Sequence, residues 1–194
     1  MASGTFKNFG NNVVIQKMDY SMAGNFTDEN KLFNSYFQDD TIGCIENYAK
    51  SFKFYSDGEF ARQRCFIAGN RVGKTETAAY EIACHAIGWY PDWWQGKRYE
   101  QGKNLLIWCA GDTNKTIRDI LQVKLLGRDG IDGRGKGILP KKYLTQKPSR
   151  AGGAAELVDS IYVDRIGGGK TIIQLKSYQG GRETFQGTEV DIVW

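Results

Sequence analysis

Apolar residues recur along this chain with two different periods, and the change between them marks its elements. From Lys74 to Trp89 the small and aliphatic residues fall on two adjacent lines, Ala78, Ile82 and Ala86 beside Ala79, Ala83 and Ile87, which predicts a helix with a face able to pack closely. Pro91 supplies its stop. Asn104 to Ala110, NLLIWCA, has the length and unbroken apolarity of a central parallel strand. The apolar residues from Arg64 to Ala68 read as a first buried strand, joined to the second by a right-handed crossover. Thr116 to Leu126 is amphipathic and helical. Glu156 to Asp164 and Lys170 to Tyr178 alternate as two strands around the turn Arg165-Ile166-Gly167-Gly168-Gly169, which reads as a hairpin. Glu189 to Trp194, EVDIVW, reads as a further apolar strand.

The N-terminal third is different. Residues 1 to about 25 are rich in Asn, Gly and Ser without a clear period and are expected to form an extended or mobile arm. Helical patterns follow at Thr27 to Phe37 and Thr41 to Phe52, with Asp28 and Glu29 suited to a helix start. The expected organisation is therefore an arm and small helical lobe over 1–55 and an α/β core over 56–194. In the core, the alternation of strand and helix predicts a mainly parallel sheet flanked by helices.

Composition narrows the class. Charged residues make up 25% and aromatics 13%, which excludes a disordered composition. The formal net charge of +4 permits a nucleic-acid partner without requiring one. No apolar run approaches membrane-spanning length, and the first residues lack the apolar stretch of a signal peptide, so a cytosolic location is expected. Cys44, Cys65, Cys84 and Cys109 form no C-x-x-C pair and are expected to be free, mostly buried thiols.

The segment with the clearest chemistry is Ala68 to Thr75, AGNRVGKT, set between the first strand and the Lys74 helix. A triphosphate needs many donors at short range, and backbone N–H groups at a helix start provide them with a favourable dipole. Gly69 and Gly73 let the main chain curl around phosphate oxygens, with Asn70 and Val72 completing the turn. Lys74 supplies a charge for the β and γ phosphates, and the Thr75 hydroxyl is a ligand for Mg²⁺. Ala68 stands where the strict pattern has glycine. Arg71 reads either as a cation for the γ-phosphate in the transition state or as a structural ion-pair partner.

Together with this loop, the blocks HAIGWYPDWWQGKR, LIWCAGDTNKTIRDILQVKLLG and LKSYQGGRETFQGTEVDIVW resemble the large subunit of tailed-phage DNA-packaging terminases, over about Gln63 to Trp194. The resemblance implies a P-loop ATPase domain of the additional-catalytic-Glu class, incomplete at its C-terminus, and absence of the family's C-terminal nuclease domain. It implies ATP and Mg²⁺ as cofactors. It implies double-stranded phage DNA, portal protein and small terminase subunit as partners, and a homo-oligomeric ring, pentameric in the family. The setting it implies is the host bacterial cytoplasm, docked transiently on the procapsid portal.

By the same resemblance, Arg182 and Gln186 are candidates for pocket or inter-subunit contacts, with strand-edge polarity as the other reading. In the family an Asp-Glu pair follows the strand matching EVDIVW and supplies metal binding and water activation. Asp191 lies too near the start of that strand to replace it, so this chain is expected to bind ATP and hydrolyse it poorly. A non-catalytic, nucleotide-dependent binding module for packaging partners is the alternative.

Four groups keep two readings each. Arg62, Gln63 and Arg64, before the loop, read as a base-contacting cluster or a charged strand entry. The cations Arg128, Arg134, Lys136, Lys141, Lys142, Lys147 and Arg150, around the glycine-rich stretch Gly127 to Gly137, read as a solvated loop or a grip on DNA phosphates. Trp89, Tyr90, Trp93 and Trp94 read as a packed corner or a stacking platform. His85, one turn after Glu81, reads as structural rather than catalytic.

Overall fold

A computed structural model describes residues 6–9, 13–16, 48–128, 134–150 and 156–194. The expected helix Thr27 to Phe37 and the first part of the one starting at Thr41 lie outside these residues.

In the expected arm, β1 (Phe6–Phe9) pairs antiparallel with β2 (Val13–Gln16) as a separate two-stranded ribbon. Helix α1 (Ala49–Asp57) continues five residues beyond the predicted end at Phe52. Helix α2 (Lys74–Ile87) matches its pattern, and its ends follow from two glycines, Gly73 at φ 83° and Gly88 at φ 73°. A left-handed residue stops a helix ladder at either end with little strain only when it has no Cβ.

The main sheet has five strands in the order β4 (Ser149–Arg150), β5 (Val158–Asp164), β6 (Lys170–Ser177), β3 (Leu105–Gly111) and β7 (Ile192–Val193). Strand β3 runs parallel to both β6 and β7, while β4, β5 and β6 are successively antiparallel. The sheet is thus mixed rather than mainly parallel, because the Arg165–Gly169 turn folds β5 and β6 into the predicted hairpin. The register sets Ile107 beside Ile173 and Cys109 beside Leu175 on one face, with Ile161 next in line. All are buried in one core with Ala79, Ile82, Ala83 and Ala86 of α2.

Between β3 and the loop at Gly127 runs helix α3, an α turn at Asn114–Thr116, a π stretch at Ile117–Gln122 and a closing α turn at Val123–Leu126. Ile117, Leu121, Leu125 and Leu126 face the core. Gln122 is buried too, with both ends of its amide engaged: Nε2 donates to the Glu156 carbonyl at 3.0 Å and Oε1 accepts from Val158 N–H at 2.9 Å. That clamp fixes where β5 begins.

One expected element is not formed. Arg64 to Ala68 joins no strand, Cys65 is exposed and Ile67 is 89% exposed. A strand exists only through a partner's ladder bonds, and here the Arg64 guanidinium ties the segment elsewhere, to Glu81 Oε1 at 2.8 Å and to the Phe54 carbonyl. The crossover expected from this segment to β3 is accordingly not one between paired strands. Cys84 and Cys109 are fully buried free thiols, as their apolar surroundings predict, whereas Cys65 is a free exposed one.

Candidate functional site

The loop at the start of α2 is built from the helix outward. No side chain caps the N-terminus of α2, so its first backbone N–H groups are donors without an intrahelical acceptor. Gly73 turns the chain into the helix, and the Lys74 ammonium folds back across the loop, donating to the Ala68 carbonyl at 2.7 Å and to that of Gly69. Gly69, Asn70, Arg71 and Val72 are exposed, and Thr75 is half-buried one residue into the helix. Arg71 holds a left-handed backbone at φ 62°, which is uncommon for a residue with a Cβ. The positions Ala68 to Thr75 are therefore gathered into one turn in front of an open helix end.

Helix α1 supports this turn, a role the sequence pattern did not reveal. Thr77 Oγ1 donates to the Gly73 carbonyl at 3.0 Å and accepts from Ser51 Oγ at 2.8 Å. Tyr55 OH donates to the Thr77 carbonyl at 3.0 Å. The ring of Tyr48 lies where a Cβ on Gly73 would come within 3.5 Å of it. A threonine four residues after Gly73 was the available signal, since its hydroxyl is placed to reach that carbonyl.

Below the loop runs a second network. Glu81 accepts from Arg64 and faces His85 Nε2 at 3.5 Å. Tyr90 OH accepts from Tyr99 N–H at 3.0 Å and lies 3.0 Å from His85 Nδ1. With Nε2 carrying its proton toward Glu81, Nδ1 accepts from Tyr90, and every partner is served by neutral histidine. Burial holds His85 below its ordinary range, against the opposing pull of Glu81. His85 is structural, and so is Arg64, which is no longer available to a ligand.

Tyr90, Trp93 and Trp94 form the packed aromatic corner. Trp94 stacks on Tyr55 with centroids 4.9 Å apart, and Trp93 stacks on Tyr80 at 6.0 Å. Next to this corner a cleft of about 670 Å³ is lined by Phe60, Arg62, Trp94, Lys97 and Arg98 among others. Gln63 is exposed just beyond it.

Arg182 and Gln186 are both exposed, in and just after the short 3₁₀ turn Arg182–Phe185. Phe185 of this turn lies edge-on to Trp108, and Lys176 donates to the Thr184 carbonyl at 3.0 Å, so the turn covers Trp108 on the sheet face away from α2. Asp191 sits at the start of β7. Its carboxylate accepts from Lys103 Nζ and from Leu106 N–H, both at 2.9 Å. Burial pushes this carboxyl upward, but the Lys103 and Leu106 bonds outweigh it and hold Asp191 below the usual carboxylate range. It clamps β7 to the beginning of β3. Among the described residues no group of three or more His, Cys, Asp and Glu side chains is placed to hold a metal ion.

Comparison with known proteins places these features. Residues 65–194 match the family model of the terminase large subunit, T4-like virus type, N-terminal region. The chain is 33% identical over 166 residues to the terminase large subunit of Salmonella phage P22, an alignment covering 76% of this chain and 32% of that protein. It thus spans about a third of the length of the relative it matches. No solved structure matches it significantly. The family match over two-thirds of the chain, on a fold that presents AGNRVGKT at an open helix end, establishes that the chain belongs to the terminase large subunit family.

Proposed function

We propose that this chain is the ATP-binding part of a phage DNA-packaging motor, a P-loop ATPase of the additional-catalytic-Glu class. The observation that carries this reading is the Lys74 ammonium held across the mouth of the loop, directly in front of the uncapped N-terminus of α2. Backbone N–H groups from Gly69 to Thr75 bind the phosphates, and Lys74 leaves its carbonyl partners to meet the β and γ oxygens. Thr75 would be the protein ligand that holds Mg²⁺, and the ion would supply charge neutralisation to the phosphates. Arg71, exposed on the same turn, is the candidate cation for the γ-phosphate in the transition state. Gln63, exposed before the loop, is the candidate contact for the base. Double-stranded DNA, a portal protein and a small terminase subunit are the partners this function requires, with Arg182 and Gln186 exposed for contacts between subunits.

Hydrolysis asks for a carboxylate that orients the attacking water. Asp191 is engaged by Lys103 and Leu106 at the start of β7, so it does not serve. This chain is expected to bind ATP.

Titration with a fluorescent ATP analogue in the presence of Mg²⁺ tests the reading. Saturable binding by the chain and its loss in Lys74→Ala are expected; equal affinity of the two proteins would refute the loop assignment.

A further inference from the structure

The segment from Arg134 to Lys147 carries Arg134, Lys136, Lys141, Lys142 and Lys147, and no Asp or Glu occurs from Gly133 to Ala155. Read as sequence it is a basic loop. In the structure it is a docked platform. Gly137, Ile138 and Leu139 donate their N–H groups to the carbonyls of Leu126, Lys124 and Leu125 at 2.9, 2.9 and 3.1 Å, closing the C-terminal end of α3. Ile138, Leu139 and Leu144 are buried at 5%, 0% and 4% exposure.

The two arms of the segment also touch each other. A Cβ on Gly135 would lie 2.5 Å from Lys141 Cβ, so only glycine admits that approach. Arg134 Nη1 donates to the Gln146 carbonyl at 3.4 Å. These contacts bring Arg134 and Lys136 next to the 3₁₀ turn Lys141–Tyr143 and to Lys147, with the apolar residues turned inward and the lysines exposed. Asp164, bonded to Thr145 Oγ1, is a carboxylate at the border of this cluster.

The C-terminal end of α3 does not draw on this charge. The carbonyls ending α3 are met by backbone N–H groups, and Lys124, the cation in its last turn, is already paired with Glu76. A docked cationic surface without an outward apolar wedge suits a partner of regularly spaced phosphates read without base contacts, and it lacks the apolar face with which an amphipathic segment enters a bilayer.

We infer that Lys141, Lys142 and Lys147, with Arg134 and Lys136 beside them, form the surface on which this chain grips the phosphate backbone of duplex DNA. The choice of duplex DNA as occupant rests on the packaging function proposed above; the platform itself rests on the contacts just described.

Fluorescence anisotropy with a random-sequence DNA duplex, titrated with the full chain at several salt concentrations, tests this. The logarithm of affinity is expected to fall linearly with the logarithm of salt. The triple variant Lys141→Gln/Lys142→Gln/Lys147→Gln is expected to bind about tenfold or more weaker at low salt, with a slope shallower by about 2 to 3, since each phosphate that is no longer neutralised removes about 0.9. The arginine triple at the same positions should keep the slope, and Lys50→Gln on α1 should leave it unchanged. Should the triple not fold, the single glutamine variants, each expected to lower the slope by about 1, carry the test.

An unchanged slope in folded glutamine variants, no binding of duplex by the parent chain, an equal effect of Lys50→Gln, or stronger binding to anionic vesicles than to duplex would each overturn the inference. ATP-analogue binding measured on the same variants separates the two claims. The platform variants should retain it, and Lys74→Ala should lose it while keeping the salt slope.

Discussion

Lys74 Nζ lies 2.7 Å from the carbonyl oxygen of Ala68, six residues earlier in the chain. The ammonium thereby holds the loop curled while the helix start behind it stays open, and a ligand rich in negative oxygens would replace two neutral acceptors with charged ones. Charge-assisted bonds are roughly twice as strong as neutral ones, so the exchange favours binding without rebuilding the loop.

The turn depends on Gly73. At φ 83° any side chain is strained, by about 1–2 kcal/mol for an L-residue in the left-handed region. Gly73→Ala is therefore expected to lower the melting temperature by a few degrees and to weaken ATP-analogue binding more than that stability loss explains. Thermal melting alongside the titration checks this; unchanged binding would mean that the loop does not need its observed conformation.

The support from α1 is testable through Thr77. Replacing it by valine leaves Ser51 Oγ and the Gly73 carbonyl without their shared hydroxyl, at a cost of about 1–3 kcal/mol. Thr77→Val should show this in denaturant unfolding and should also reduce nucleotide affinity, whereas Thr77→Ser should restore most of both.

Arg64 and Glu81 form a largely buried ion pair, with side-chain exposures of 21% and 8%. Removing one partner strands the other, and Arg64→Ala is expected to cost about 3 kcal/mol. Arg64→Ala combined with Glu81→Leu should recover part of the loss, because no charge is then left unpaired. Equal stability of the single and double variants would contradict this reading of the network.

Acid should loosen the same region. His85 is held below the ordinary value of 6.5 by burial, so the unfolded chain binds a proton before the folded one does. Its contribution to stability is complete above about pH 6.5 and is lost as the pH falls through the lower folded value. Asp191 is also depressed, but its contribution is lost only below the carboxylate range. Melting temperature followed from pH 7 to 5 should fall, and His85→Gln should flatten that decline.

Much of this architecture was legible in the sequence where local signals and packing agree. The start of α2 and the apolar run of β3 appear within one residue of expectation because each is set by neighbours in the chain, whereas α2 ends at Ile87, two residues before the expected Trp89, where Gly88 turns the chain. Arg64 to Ala68 misled for the opposite reason. Its apolarity suits a strand, but a strand requires a partner, and the Arg64 bonds to Glu81 and Phe54, respectively 17 and 10 residues away, draw the segment toward the helices. At the site, AGNRVGKT announced its own turn. The Ser51, Tyr55 and Thr77 support did not, because it joins two helices through hydroxyl groups that carry no periodic signature. The basic residues after Gly133 were visible as charge, while their docking through Ile138, Leu139 and Leu144 emerged only from the fold.

Hydrogen–deuterium exchange of the full chain with and without MgATP tests the nucleotide site most directly. Protection on ligand addition is expected in the peptide spanning Ala68 to Glu76, and it should vanish in Lys74→Ala. Nucleotide-dependent protection located elsewhere, or persisting unchanged in Lys74→Ala, would contradict the account.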